Sequence, residues 1–498
     1  MKNRVLWAFL SSPFLLFSVV VGFRRPISDD ESIFIYGAQQ ISRGDFFLVD
    51  FWDHKGPLLY WLNLVSINIP LPNFLGVAVL QGLITSLALY FALSRLQIAG
   101  ISRRTAVLLS VAANITLMSV ILNLNTTEGW SIPFQLLCYT ILLVQLLNPQ
   151  GIETSPRSVV LCAVVLGISL SILVLIRINN GMGVFVATIF VLWSLRKFRR
   201  LFLVAWTFTL ASVLTVTLTL YSLSGNLQLL FERYFVYNSD YSSGMSFSRR
   251  LFGFNYLVFN YIKSPIFVLV VVLLILVFSL KYLRSNKLVL LGLIVAIDFF
   301  AQSLSGRGNR QYIPATIAIL LIVSVYLFHL LEQNTQALSS AVAFSIFVAY
   351  SISGLNLENL ESSWHSGYKS QISDSQFVER VSRETKSIYY YGPSPQALVR
   401  NYIKNYSQFI YIAPTLSVFS RNQSKLAEQL TLEVQSSNPE VIFRDLNSCA
   451  FDLEVCYEGN EQYLSEHKAL ANLRKWIVEH YVLSEVSGNL ELWSRREA

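Results

Sequence analysis

Long apolar runs recur along this 498-residue chain and constrain its fold more than any other feature. Only 14% of the residues are charged and the mean hydropathy is +0.50, whereas a water-soluble protein has roughly 25% charged residues. A helix needs about 20 apolar residues to cross a hydrocarbon layer of about 30 Å. Since only helices and closed barrels satisfy their backbone hydrogen bonds in lipid, the runs predict a polytopic α-helical membrane protein.

The hydropathy pattern predicts about eleven transmembrane helices. Their expected ranges are 5–23, 74–94, 105–123, 131–147, 159–176, 182–195, 201–223, 264–280, 288–304, 313–330 and 338–356. The first run is too long for a cleaved signal sequence and is expected to be a retained span. Short basic connections, such as 196–200, mark the cytoplasmic side together with the N-terminus. With an odd number of spans in a plasma (inner) membrane, the first outer loop, 24–73, and all residues after 357 then lie on the extracytoplasmic side.

The membrane part of the chain is strongly basic, with 24 basic and 12 acidic residues in the range 1–357. Basic residues also occur on the predicted outer face: Arg24, Arg25, Arg43, Lys55, Arg177, Arg233, Arg249, Arg250, Lys263, Arg307 and Arg310. This departs from the usual charge bias and favours an anionic ligand there, although for any single Arg, Arg177 included, anchoring to lipid headgroups is the better explanation. No basic patch marks a soluble module, so membrane lipids are expected partners and nucleic acid is not.

Half of the acidic residues before position 358 lie in the first outer loop. Ser28 and Glu31 have the spacing of a capping box, which predicts a helix that starts there and ends at Gly44. Pro57 predicts the start of a second helix. Asp30 then lies in the first turn of the first helix, where the helix dipole favours a carboxylate at the membrane surface.

After residue 357 the composition turns polar, and short β-like runs alternate with helical ones. Strands are expected near 386–391, 409–413, 440–443 and 490–494, and helices near 426–436 and 467–481. This alternation predicts a small extracytoplasmic α/β domain, 358–498, beside a transmembrane domain, 1–357. Cys449 and Cys456 form either a disulfide or two free thiols in an oxidising compartment, and we weigh the two alternatives equally.

Carboxylates and cations gathered at an outer membrane surface suit a transfer reaction on a lipid phosphate. A carboxylate can deprotonate an acceptor hydroxyl, while Lys and Arg side chains neutralise the departing phosphate. Asp30 and Lys55 are the first candidates for these roles. Glu128, in the second outer loop, and the segment 305–314 are predicted to lie on the same face.

Two sets of residues resemble signatures of GT-C glycosyltransferases. The first set is Asp30-Glu31-Ser32, Gly44-Asp45 and Asp53-His54-Lys55-Gly56-Pro57-Leu58-Leu59-Tyr60-Trp61-Leu62. It resembles the first-loop signature of the protein mannosyltransferase and aminoarabinose transferase families, and the likeness is greatest to the bacterial glycosyltransferase family 39. Their later outer segment resembles Ser305-Gly306-Arg307 and Tyr312-x-Pro314. The likeness covers roughly residues 1–357 in layout and implies a GT-C type fold.

The resemblance also implies an activity and residue roles. A sugar would pass, with inversion, from a polyprenyl-phosphate donor to a hydroxyl of a glycan, lipid or protein acceptor. Asp30 matches the catalytic base, Glu31 the second acid that assists it or only caps the helix, and Lys55 the ligand of the donor phosphate. The donor phosphate-binding set is completed by Arg307, Arg310 and Tyr312.

Some members of these families use a divalent metal ion, and this chain departs from their pattern near its expected ligand. His54 stands where some relatives have Glu, so a metal bound by His54 would be held differently or be absent. Gly56 replaces the first Pro after the Lys. Asp53 and Glu128 are possible further members of the site.

Two other functions fit a polytopic protein with these loops. A transporter or flippase of lipid-linked sugars usually shows internal repeats and ionisable groups near the membrane midplane, whereas most charges here lie at the outer edge. An O-antigen ligase or polymerase-like enzyme with a diphosphate donor is disfavoured only by the first-loop motifs. One acid, Asp298, lies within a predicted span, and there we expect a hydrogen bond to Gln302.

Overall fold

The computed structural model describes residues 2–24, 26–71, 74–120, 125–148, 155–239, 248, 255, 265–279, 286–303, 314–333, 357–392, 394–405, 407–409, 423–446 and 470–496. The α-helices of the described residues are α1 Lys2–Ser11, α2 Pro13–Arg24, α3 Asp29–Ser42, α4 Pro57–Ile67, α5 Leu75–Ile98, α6 Arg103–Val120, α7 Thr127–Leu147, α8 Pro156–Ile176, α9 Met182–Ser194, α10 Arg199–Leu223, α11 Leu227–Leu230, α12 Pro265–Ser279, α13 Asn286–Ser303, α14 Pro314–Gln333, α15 Leu357–Ser382, α16 Gln396–Val399, α17 Gln423–Ser437 and α18 Ala471–His480. A 3₁₀ turn, Ile178–Gly181, precedes α9, and a π-helical turn, Phe231–Val236, follows α11. The strands are β1 Ile388–Tyr391, β2 Val441–Asp445, β3 Tyr481–Ser487 and β4 Leu490–Arg495.

Seven of the described helices are long and apolar enough to cross a membrane. They are Arg4–Gly22, Leu75–Ile98, Thr127–Leu147, Pro156–Ile176, Arg199–Leu223, Asn286–Ser303 and Ala315–Gln333. Each coincides with a predicted span. The predicted spans 105–123, 182–195 and 264–280 correspond to α6, to the short α9 and to α12. The last predicted span, 338–356, lies outside the described residues.

One of two compact units comprises Met1–Gly22, Val77–Leu220 and Phe247–Leu357. In this unit α7 packs against α14, α8 and α9. As a result, 78% of the residues in the most apolar stretch of α7 are buried. By contrast, only 6% of the residues in the most apolar stretch of α10 are buried. The apolar side chains of α10 therefore suit contact with lipid, while α7 lies among other helices and can carry polar side chains that find partners there.

The second compact unit comprises Phe23–Gly76, Tyr221–Ser246 and Glu358–Ala498. Its four-stranded sheet has the order β1-β2-β4-β3, in which β1 and β2 are parallel and the other pairs are antiparallel. Helix α15 packs on this sheet through Phe377, whose ring meets Phe443 of β2 at 5.5 Å between centroids. The first outer loop thus belongs to the same unit as the α/β region, and the division at residue 357 stays a prediction.

Hydrogen bonds fasten the first outer loop to the α/β region within this unit. Gln371 of α15 bonds both the N–H and the carbonyl of Ile27, at 2.9 and 2.7 Å. The backbone N–H of Asn405 donates to the buried Tyr36 hydroxyl at 2.7 Å, and Gln39 donates to the Val399 carbonyl at 2.7 Å. These contacts explain why α3 keeps one face against the α/β region although it follows a membrane span.

Most predicted elements of the α/β region are confirmed, with one correction. The helix predicted for 467–481 ends at His480, and Tyr481 instead begins β3, a strand that we did not predict. The reason is pairing: β3 forms an antiparallel hairpin with β4, closed by Gly488 at φ +59°. In the predicted strand 409–413, only Phe409 lies within the described residues, where it bridges to Trp52. Cys449 and Cys456 lie outside the described residues.

An ion pair between neighbouring strands makes the stability of the sheet depend on pH. Glu491 accepts hydrogen bonds from Arg444 Nε and Nη2, at 2.7 and 2.6 Å, and from Trp493 Nε1 at 2.9 Å. Burial favours the neutral acid, but these bonds outweigh burial and lower the pKa of Glu491. A carboxyl with a lowered folded-state pKa stabilises the fold above its unfolded pKa of about 4.3, and this contribution is lost as the pH falls through the folded pKa.

We therefore expect Glu491→Gln to be less stable than the wild type at neutral pH and to lose less further stability on acidification. The melting temperature of both proteins, measured in detergent from neutral pH to about pH 3, tests this expectation. Equal drops in the two proteins would contradict it.

Candidate active site

The start of α3 holds three consecutive acids, Asp29, Asp30 and Glu31. Glu31 closes the predicted capping box: its N–H donates to Ser28 Oγ and its carboxylate accepts from the Ser28 N–H, both at 3.4 Å. Asp29 accepts hydrogen bonds from Ser394 and Gln396, both at 2.8 Å. Asp30, between them, is half-buried in the first turn. The predicted capping box and the helix end at Gly44, with φ +95°, are confirmed.

Asp53, His54 and Lys55 form a continuous chain of polar contacts in the turn before α4. Asp53 is 1% exposed and accepts from the Tyr60 hydroxyl and from the His54 N–H, both at 2.7 Å. One ring nitrogen of His54, Nδ1, lies 2.8 Å from Asp53 Oδ1. The other, Nε2, lies 2.6 Å from Lys55 Nζ. Since an ammonium can only donate, Nε2 accepts and the ring proton belongs on Nδ1, the ring nitrogen that lies close to the Asp53 carboxylate.

Side chains distant in sequence fix the position of this turn. The Asn238 amide donates to the His54 carbonyl at 2.7 Å, and the Tyr237 ring lies 5.9 Å from the imidazole. Tyr237 also meets Trp52 edge-on at 5.2 Å, and Arg233 lies over the Trp52 ring at 5.6 Å. The aromatic segment after α10 therefore buttresses the first outer loop.

Helices α3 and α4 pack directly against each other. The Phe34 and Tyr60 rings meet edge-on at 6.0 Å, and a side chain larger than hydrogen at Gly37 would collide with Tyr60 and Phe51. Asp30 lies one helical turn before Phe34 on α3, and Lys55 directly precedes α4. The acidic helix start and the lysine turn thus belong to one packed helix pair.

Glu128 lies in the other compact unit, at the N-terminal end of α7. Its carboxylate is 1% exposed and accepts from Arg177, at the end of α8, and from Thr127 Oγ1 at 2.8 Å. Sequence reasoning treated Arg177 as a membrane anchor and missed this ion pair. The one available signal was that both residues are charged and lie at the predicted outer ends of neighbouring spans.

A buried polar network continues from this ion pair into the helix bundle. Asn180 donates to Ser131 at 2.8 Å, and Gln302 of α13 donates to Asn180 at 3.0 Å. Asp298 accepts from the Tyr139 hydroxyl and from the Gly183 N–H. The expected hydrogen bond between Asp298 and Gln302 is wrong, because α13 packs beside α9 and the neighbouring helices offer closer donors.

The remaining predicted site residues are the donor-binding set and the possible metal ligand His54. Arg307, Arg310 and Tyr312 lie outside the described residues. In the described part of the chain, no three His, Cys, Asp or Glu side chains are grouped to hold a metal ion. His54 already presents Nε2 to an ammonium and Nδ1 to a carboxylate, so its surroundings do not fit a metal ligand.

Sequence reasoning also missed Arg400, which follows α16. Burial lowers the pKa of Arg400, while Tyr368 and the negative charge of Glu31 oppose that effect. The Tyr368 ring lies 4.9 Å from its guanidinium carbon. No pattern within residues 358–498 relates Arg400 to the first outer loop, so sequence alone offered no signal.

Comparison with solved structures finds a likeness that spans nearly the whole chain. The crystal structure of ArnT from Cupriavidus metallidurans bound to undecaprenyl phosphate matches with a TM-score of 0.55 over 99% of this chain and 98% of that chain. The chain has the GT-C type fold. At 12% sequence identity the likeness shows the fold alone. No family model and no curated protein matches the sequence.

The match confirms the predicted fold class: a polytopic α-helical membrane protein of GT-C type with a small C-terminal α/β region. Because it spans nearly the full length of both chains, the α/β region is included in the likeness together with the helix bundle.

Proposed function

We propose that this protein is an integral membrane glycosyltransferase that transfers a sugar from a polyprenyl-phosphate donor to an acceptor hydroxyl, with inversion at the anomeric carbon. The donor class is supported by the fold match, since the matching ArnT structure contains undecaprenyl phosphate. The site would lie on the extracytoplasmic face of the plasma (inner) membrane. The acceptor is a hydroxyl of a glycan, lipid or protein.

The Asp30 carboxylate would accept the proton of the acceptor hydroxyl as the hydroxyl oxygen bonds to the anomeric carbon. On the opposite side of that carbon, the bond to the phosphate oxygen breaks, and its electron pair leaves with the polyprenyl phosphate. The Lys55 ammonium would stabilise the charge that develops on this phosphate. Proton transfer by Asp30 and electrostatic stabilisation by Lys55 would be the principal contributions of the chain's own residues.

The observation that carries the proposal is the chain Asp53–His54–Lys55. It holds an ammonium in a fixed turn, on the same packed helix pair as the half-buried Asp30. A lysine anchored only by a flexible stem would be an ordinary interfacial charge. Lys55 is hydrogen-bonded to an imidazole that lies beside a buried carboxylate, so its side chain is already ordered. Less conformational entropy is then lost when an anion binds to the ammonium.

The other predicted residues have subordinate roles in this proposal. Glu31 holds the start of α3 and thereby positions Asp30, and Asp53 orients His54. Arg307, Arg310 and Tyr312 would contribute further contacts to the donor phosphate. Glu128 stays a possible further member of the site, as predicted from the sequence.

Lipid analysis of a strain that lacks the protein tests the proposal. A strain expressing the Asp30→Asn protein is expected, like the deletion strain, to accumulate a polyprenyl-phosphate sugar and to lose one glycosylated product. Wild-type protein restores both species, as read by mass spectrometry of lipid and glycan extracts. A strain in which the lipid-linked sugar is unchanged in amount but trapped on the cytoplasmic side would instead indicate a flippase.

His54 should affect donor binding through Lys55. We expect His54→Ala to raise the donor KM about tenfold with little change in kcat. The reason is the loss of a charge-assisted hydrogen bond, which costs roughly 1–2 kcal/mol. His54→Gln can keep an acceptor near Nζ and should recover part of the loss. Steady-state kinetics with reconstituted protein measures the split, and a fall in kcat with unchanged KM would contradict a positioning role.

A further inference from the structure

A cleft between three membrane-spanning helices lies at the opposite end of the bundle from Glu128 and Arg177. It is formed by the C-terminal ends of α5 and α7 and the N-terminal end of α8. Its space, including the open mouth, is about 680 Å³. Asn148 and Ser158, at this end, are 20 and 19 residues from Glu128 and Arg177 along α7 and α8. At 1.5 Å per residue, the cleft is therefore roughly 30 Å from that ion pair.

The walls of the cleft are apolar and its mouth is open. Phe91, Ile141, Val144, Leu161 and Val165 form most of the walls. Leu161 is 49% exposed, and Ile98 at the rim is 74% exposed. In a membrane, such a surface faces hydrocarbon chains.

One half-buried cation, Arg95, lines this apolar cleft. Its guanidinium lies over the Phe91 ring at 5.2 Å, which holds it against the wall. None of the carboxylates in the described part of the chain forms an ion pair with Arg95. A charge held beside hydrocarbon is costly unless a counter-charge meets it.

The surroundings of the cleft are also basic. Exposed Arg103 and Arg104 begin α6, directly after the α5 end, and exposed Arg157 adjoins Ser158 of the cleft. Glu332 of α14 lies near the start of α6. Its carboxylate accepts hydrogen bonds from the hydroxyls of Ser102 and Thr105, at 2.5 and 2.8 Å. The excess of positive charge favours an anionic occupant.

We propose that this cleft binds one anionic glycerophospholipid, with the phosphate at Arg95 and an acyl chain along the apolar walls. Basic clefts between transmembrane helices are suited to such headgroups, and each Lys or Arg near the surface contributes about 1 kcal/mol to the attraction. Phosphatidylglycerol fits the charge, whereas zwitterionic phosphatidylcholine offers the same chains without net charge. The proposal is independent of the catalytic activity.

Native mass spectrometry of the delipidated full-length protein tests the site. Titration with phosphatidylglycerol should give an apparent Kd about fivefold to tenfold higher for Arg95→Gln than for the wild type, matching the loss of one charge contact. Arg104→Gln removes an exposed Arg at the same end, outside the cleft, and should raise the Kd less than Arg95→Gln does, because Arg104 attracts the headgroup without contacting it. Equal Kd values for wild type and Arg95→Gln, or equal affinity of the wild type for phosphatidylcholine, would overturn the proposal.

A second measurement needs no variant. Cys162 lines the cleft as a free thiol, and Cys138 is a fully buried reference on α7. In nanodiscs, phosphatidylglycerol should slow the labelling of Cys162 by N-ethylmaleimide relative to phosphatidylcholine, as read on the Cys162 peptide by mass spectrometry. Equal labelling rates in the two lipids would indicate ordinary boundary lipid and overturn the proposal.

Discussion

Asp30→Asn is expected to lower kcat about a thousandfold, within the range of roughly 10² to 10⁴ for loss of a general base. An amide cannot accept the acceptor's proton, yet it has nearly the same size as the carboxylate. The capping contacts of α3 are made by Ser28 and Glu31, so the helix should form and donor binding should change little. The rate of sugar transfer by reconstituted protein, with saturating donor, measures the effect.

Asp29→Asn is the matched control, because it removes the neighbouring carboxylate from the same helix turn. Asp29 is exposed and accepts hydrogen bonds from Ser394 and Gln396, which an Asn oxygen can also accept. We expect its kcat to stay within about threefold of the wild type, since an exposed polar substitution has small effects. Wild-type turnover by Asp30→Asn would remove Asp30 from the mechanism, and equal losses in both variants would indicate a general effect of charge.

Lys55→Ala is expected to raise the donor KM about a hundredfold. Loss of one partner of a hydrogen-bonded charge pair costs about 2–5 kcal/mol, and each 1.4 kcal/mol is a factor of ten. Lys404→Ala is the control: Lys404 also pairs with a first-loop residue, Asp45 at 2.9 Å. Its side chain is 51% exposed, and an exposed ion pair contributes about 0–1 kcal/mol, so its KM should be unchanged.

The Lys55→Ala variant also separates the role of Lys55 from that of His54. In the Lys55→Ala background, His54→Ala should add little to the KM, because residues that act through one contact are not additive. An unchanged KM for Lys55→Ala would contradict the proposed donor site as a whole. Full additivity of the two substitutions would contradict only the positioning role of His54.

Local sequence signals predicted the elements of the first outer loop closely. Ser28 and Glu31 form the predicted capping box, Gly44 ends the helix with a positive φ, and Pro57 begins α4. These features depend on neighbouring residues and on the conformational preferences of Gly and Pro, so they can be read from short windows. The long spans were predictable for a similar reason, because hydrocarbon thickness sets their length.

Partners of polar side chains were predicted poorly. Gln302 was expected to bond Asp298 because the two are one helical turn apart, but Tyr139 and Gly183 of other helices take that place. Arg177 and Glu128 pair across 49 residues. Such contacts depend on which helix faces meet, and sequence separation does not encode that. Strand β3 was missed for the same reason, since its half-exposed sequence becomes a strand by pairing with β4.

The sequence by itself determined the membrane class, the positions of most spans, the caps of α3 and α4 and, through its motifs, the GT-C type fold. The class, the spans and the caps follow from composition, periodicity and neighbouring residues, whereas the fold type was implied by the resemblance of the motifs to a known family. Only the tertiary structure decided that His54 faces Lys55 and Asp53 rather than fitting a metal, and that the α/β region holds the first outer loop. The physical reason is that a buried polar group must find a partner in space, and the chain brings that partner from any distance along its length.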